Sequence, residues 1–246
     1  MTITFFLAYV GGLAGLSAWL HWQRAQDPVR YPTPRRLPRQ TVFEFAGRQL
    51  LFVAVAWATF AAGDWTWRSV GVPARFRWEE VVLVGEVAFL GVILVNLLVL
   101  FLGRRLGPMR LTAVRGNLRA WPRRRDEKWI AGIAIMVFNP FVEELVMRGI
   151  LIHHWGLVLG SPVVPVIVGF GLNGALHWYQ GWRMQLWHAL FFVAAVTLLY
   201  SPWGLPAAMV AHVFGDVLPF AVLRRNLRSA HKARRAAARR TARTAA

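Results

Sequence analysis

A chain of 246 residues that is 57% hydrophobic and only 16% charged is too apolar for an ordinary soluble domain, which usually carries about a quarter charged residues. Its charges are gathered into short stretches between long apolar runs, the profile of a multi-pass membrane protein. Cysteine is absent, which excludes disulfides, thiolate nucleophiles and Cys-ligated zinc. The net charge of +18 is almost all arginine, Lys128 and Lys232 being the lysines. Basic loops beside spans orient a membrane protein and meet anionic lipid headgroups, so this charge argues for a membrane and against nucleic acid as partner.

The first apolar run, about Ile3–Trp22, lacks a basic start and an obvious cleavage site and reads as a retained span. An Arg- and Pro-rich loop follows, with Arg24, Arg30, Arg35, Arg36 and Arg39. A second span covers about Val42–Ala62, and a third about Glu80–Leu102 after a loop holding Asp64, Arg68, Arg75 and Arg77. The basic loop Arg104–Lys128 separates these from five more apolar stretches: Trp129–Phe138, Phe141–Leu159, Val163–Tyr179, Met184–Leu199 and Leu205–Leu223. The tail Arg224–Ala246 alternates Ala and Arg. The expected fold class is therefore all-α, a polytopic transmembrane helical bundle of about seven spans. Its expected parts are N-terminal helices and basic loops (1–128), a helical core (129–223) and a basic tail (224–246).

Trp129–Phe138 decides between seven spans and eight. Ten helical residues rise only about 15 Å, against a hydrocarbon core of about 30 Å. Asn139-Pro140 reads as a helix start, with Asn as N-cap and Pro at the first helical position. The stretch is accordingly expected to be a half-span, with a new helix from Pro140. Seven crossings with the N-terminus outside put the Arg24–Arg39 loop, the Arg104–Lys128 loop, Arg183 and the tail on one face. That face is the cytoplasmic one by the positive-inside rule. A full crossing would make eight spans and move the N-terminus inside.

Ionisable residues inside apolar spans are costly and mark function. Here they cluster in the second half: Glu143 and Glu144 with Arg148, then His177, then His212 with Asp216. On a helix Glu144 and Arg148 share a face, while Glu143 is rotated about 100° away. One carboxylate is then paired within its own helix and its neighbour is left to point elsewhere. His177 lies four residues after Asn173, among Gly171, Gly174 and Ala175, which allow close helix packing. His212 and Asp216 are again four apart. Such a set holds a base for water, a group to orient it and donors for a developing oxyanion. His153 and His154 are expected to reach the membrane surface, and His21, His188 and His231 to be structural or exposed.

The order Glu-Glu-x-x-x-Arg, then a histidine, then His-x-x-x-Asp on successive spans resembles the CPBP family, which contains the CAAX prenyl endopeptidases and bacteriocin-processing or self-immunity relatives. The resemblance runs from about Trp129 to Leu223, and the run His177-Trp178-Tyr179-Gln180-Gly181 is similar to the sequence that follows the family's second motif. It implies an intramembrane endopeptidase acting on a membrane protein or peptide. Glu143 would activate water with His177, Glu144 and Arg148 would support them, and His212 with Asp216 would form the oxyanion side. Two positions depart from the pattern: Asn173 stands where the family has Phe, and Asp216 where the prenyl proteases have Asn. No cofactor is needed on this reading. With Asp present, Glu143, His177, His212 and Asp216 also make an N/O ligand set for a divalent metal such as zinc.

The alternatives are a non-catalytic immunity or scaffold protein of the same fold and a proton- or ion-coupled transporter. The confinement of acids and imidazoles to one half of the chain counts against the transporter. The Arg-heavy, Lys-poor composition points to a GC-rich bacterium and its inner membrane, with the C-terminus cytoplasmic. Substrate, cleavage site and oligomeric state are not encoded in any motif.

Overall fold

The computed structural model describes residues 4, 6–15, 18, 47, 50, 54, 66–102, 134–177 and 182–217. Most of the second expected span, the basic loops around 24–39 and 104–128 and the tail lie outside these residues, and the orientation argument with them. Every regular element among the described residues is helical, and none is a strand. In chain order they are α1 (Phe6–Gly15), a 3-10 turn (Trp67–Val70), α2 (Trp78–Leu102), α3 (residues 134–158), α4 (Val163–His177), α5 (Trp182–Leu199) and α6 (Gly204–Val217).

Helix α2 is the described helix long and apolar enough to cross a membrane, over Trp78–Leu98. Glu79 and Glu80 occupy its first turn, where the helix dipole favours negative charge. One side, with Val81, Phe89 and Val92, is buried against Phe191, Ala195 and Leu198 of α5 and Ala207, Ala208 and Ala211 of α6. The other side exposes Leu83, Val87, Leu94 and Leu98. A continuous exposed face this apolar suits hydrocarbon and not water. Alanines on α6 let it approach α2 closely. A Cβ on Gly85 would come within 2.8 Å of Val210 Cγ1 and 2.9 Å of the Ala207 carbonyl oxygen, the small-residue contact by which helices associate in lipid.

Helix α3 corrects one expectation. No helix begins at Asn139: Phe138 before it is already helical, and the helix passes straight through Pro140. From residue 134 on, the half-span and the next stretch are one rod, whose successive pieces are a π turn (Ala134–Phe138), an α segment (Asn139–Glu144), a π segment (Leu145–His154) and a last α turn (Trp155–Val158). The physical reason lies in the proline. Pro removes a backbone donor and crowds the carbonyl four residues back, and widening the turn before it to π geometry relieves that crowding, as membrane helices do.

The π segment is deeply enclosed, with Val146 through Ile152 all buried. Helix α1 packs on it through Phe6, Tyr9 and Leu13, and the buried Tyr9 hydroxyl donates to the Val146 carbonyl at 2.9 Å. Short connections at 159–162 and 200–203 make α4 antiparallel to α3, and α6 antiparallel to α5. The ends of α3 and α5 meet the 66–77 strap at Gly204. Its amide neighbour Leu205 donates to the Gly71 carbonyl at 2.8 Å. Gly204 itself has φ 57, and a Cβ there would overlap the Gly71 carbonyl oxygen.

Gly204→Ala is therefore expected to destabilise the protein by more than the roughly 1–2 kcal/mol of left-handed backbone strain alone. Thermal unfolding in detergent checks this, with Gly160→Ala (φ 69, nothing near its Cβ) as the strain-only control.

Candidate functional site

Helices α3, α4, α5 and α6 bring their ionisable residues together at one end of the bundle, away from the 66–77 strap. Glu144 ends the α segment of α3, and Arg148 lies one turn on, in the π segment. Their side chains are 0% and 2% exposed and pair at 3.1 Å between Glu144 Oε1 and Arg148 Nη1. The same oxygen is 2.7 Å from His212 Nδ1 on α6. One carboxylate oxygen thus accepts from a guanidinium on its own helix and from an imidazole across the bundle. Glu144 Oε2 and Arg148 Nε are buried without a hydrogen-bond partner among the described residues.

With Nδ1 turned to Glu144, the other ring nitrogen of His212 faces Glu143. Nε2 lies 3.7 Å from Glu143 Oε2, longer than a direct hydrogen bond. Glu143 is the more open of the two acids: its side chain is 29% exposed, against 0% for Glu144. Asp216, one turn beyond His212, interacts electrostatically with His212, Glu143 and Glu144. Three carboxyls therefore stand against Arg148 and His212. Burying net charge is expensive, and the count balances when His212 is protonated and one carboxyl keeps its proton.

His177 is the last described residue of α4 and joins the cluster through a second imidazole. Its ring lies face to face on His188 of α5, with centroids 3.7 Å apart and planes at 13°. His188 also interacts electrostatically with His212 and Arg148. It is not exposed, and of the expected structural or exposed histidine the exposed alternative falls away. Its sequence signal was a lone imidazole in an apolar helix, the same signal that marked His177. Asn173, one turn before His177, is buried. His153 sits at the opposite end, where its Nδ1 lies 2.8 Å from the Ser69 carbonyl oxygen and its ring stacks on Tyr200.

Among the described residues, no three His, Asp or Glu side chains are grouped to hold one metal ion. The set Glu143, His177, His212 and Asp216 therefore does not form a ready ligand shell. His212 spends its Nδ1 on Glu144 instead.

The fold and this cluster define a helical membrane protein with an enclosed acid–base site. Residues 125–218 match the family described as Rce1-like, type II CAAX prenyl endopeptidase. That match is consistent with the CPBP motifs, and the matched family is one of membrane proteases. The match contains every residue of the cluster. Neither a curated protein nor a solved structure matches the chain.

Removing one member of a buried ion pair leaves the other uncompensated, at about 3–5 kcal/mol. Arg148→Met is expected to lower stability by that amount, and Arg148→Met with Glu144→Gln to recover part of it. Unfolding of the two single variants and the double variant, read as a cycle, checks this.

Proposed function

We propose that the protein is an intramembrane endopeptidase that hydrolyses a peptide bond of a membrane-associated protein, with Glu143 as the base. The observation that carries this reading is the unequal pair of acids. Glu144 is sealed and compensated by Arg148 and His212 on a single oxygen, while Glu143 beside it is more open and lies 3.7 Å from the same imidazole. Paired carboxylates in different environments are how one site holds both a charge-balancing acid and a proton acceptor.

In this mechanism Glu143, with His177 orienting the water, takes a proton as the water oxygen bonds to the scissile carbonyl carbon. The carbonyl oxygen becomes an oxyanion. His212 is held at Nδ1 by Glu144 and presents Nε2–H to that oxygen, and a neutral Asp216 donates beside it. Fixed donors of this kind act strongly where water is excluded. The C–N bond then breaks, Glu143 returns its proton to the leaving nitrogen, and the products are a carboxyl end and an amino end. Asp216 in place of the family's Asn is accommodated because a protonated carboxyl donates as an amide does. The basic segments would lie at anionic headgroups, with the C-terminus in the cytoplasm of a bacterial inner membrane.

Glu143→Gln is expected to fold normally and to lose cleavage by about 10²–10⁴-fold, the scale of general base catalysis. Comparative proteomics of membranes from cells expressing wild type or Glu143→Gln should reveal a membrane protein whose processing depends on Glu143. Unaltered processing and full biological function in the variant would sink the reading. Cleavage by the purified protein is expected to persist in chelator, and its loss would bring a metal into the mechanism.

Asp216→Ala is expected to cost about 10²–10³-fold, the scale of one oxyanion donor, while Asp216→Asn keeps most of the rate. Equal losses in the two variants would contradict a donor role. The readout is the initial rate of Glu143-dependent cleavage.

A further inference from the structure

Helix α5 carries none of the motif residues that drew attention to α3, α4 and α6, yet it touches three of the site's cationic or imidazole groups. His188, Phe191 and Phe192 lie at helical spacings of three and four and share a face. The His188 ring stacks on His177 at 3.7 Å. The Phe191 ring lies 4.9 Å from His212. Arg148 Cζ sits 5.0 Å over the Phe192 ring, within cation–π range. One turn before His188, Gln185 approaches α4 at Gly174, where a Cβ would lie 3.7 Å from Gln185 Oε1. Gln185 and His188 thus meet α4 along residues 174–177, and the α5 face forms a wall behind the reacting groups.

We propose that His188 is a positioning residue, whose ring lies flat against His177 and holds that imidazole in the orientation the water needs. From α5, across the helix pair, the His188 ring restricts the His177 side chain. A nearly parallel stack fixes both the tilt of the His177 ring and the height at which its nitrogens sit. What His188 contributes is a planar surface, so another flat ring substitutes for it and a small side chain does not. The proposal rests on His177 being part of the reactive site for its catalytic consequence, but not for the stacking itself.

The test has one arm that needs no substrate. The purified full-length protein in detergent is treated with diethyl pyrocarbonate, and the rate of carbethoxylation at His177 is followed by peptide mass spectrometry. In His188→Ala the uncovered His177 ring is expected to react several-fold faster, and in His188→Phe at about the wild-type rate. Unchanged His177 reactivity in His188→Ala, with unaltered thermal unfolding, overturns the proposal. So does fast reaction in His188→Phe.

The second arm uses the membrane protein whose processing depends on Glu143. His188→Ala is expected to lower kcat on the order of 10–100-fold with KM little changed, as misplacement of a reacting group does, and His188→Phe to restore most of it. A full kcat in His188→Ala overturns the catalytic consequence. If no Glu143-dependent cleavage exists, the protease reading fails while the pyrocarbonate arm still decides whether His188 holds His177.

Discussion

Glu144 Oε1 is where three parts of this protein meet. A carboxylate with no exposed surface, inside a bundle of apolar helices, must be compensated or it will not stay charged there. Arg148 supplies half of that compensation from the next turn of α3, and His212 the other half from α6. Because one oxygen takes both donors, α6 has to dock with His212 at the level of Glu144. Once it does, its other nitrogen is delivered to Glu143 and Asp216 follows one turn later. The geometry of the cluster is a consequence of neutralising one buried acid.

The surrounding apolar packing is what makes that docking close enough. Gly85, Ala207, Ala208 and Ala211 allow α2 and α6 to meet with little side chain between them, which lipid permits and rewards through van der Waals contact. The large side chains are spent elsewhere: Phe6, Tyr9, Met147, Ile150 and Trp155 fill the space between α1 and α3. The enclosed π segment of α3 thereby holds Arg148 in place, with Phe192 of α5 beneath its guanidinium.

Much of the helical organisation was legible in the chain. Apolar runs bounded by Pro, Gly and Arg mark where α2, α4, α5 and α6 lie over their described residues, because burial of a long apolar helix in lipid leaves little room for another reading. The start of α3 was misread. Asn-Pro is a helix-start signal in water, where a broken ladder is solvated, but Pro140 sits in a rod whose preceding π turn absorbs the disruption. Local sequence carries no sign of that compensation.

The candidate site divides along the same line. Contacts within one helix follow from spacing alone, so the Glu144–Arg148 pair could be read from positions four apart, and the motif order carried the resemblance to a family of membrane proteases before any geometry was known. Contacts between helices depend on rotation and register, which no residue encodes by itself. That His212 turns Nδ1 to Glu144 rather than facing only an oxyanion, and that His188 lies flat on His177, were decided by how α5 and α6 pack against α3 and α4. The sequence by itself determined which side chains carry the charge and which helices hold them. The tertiary structure decided which of those charges share an oxygen, because a low-dielectric interior tolerates them only where another helix brings the opposite charge within reach.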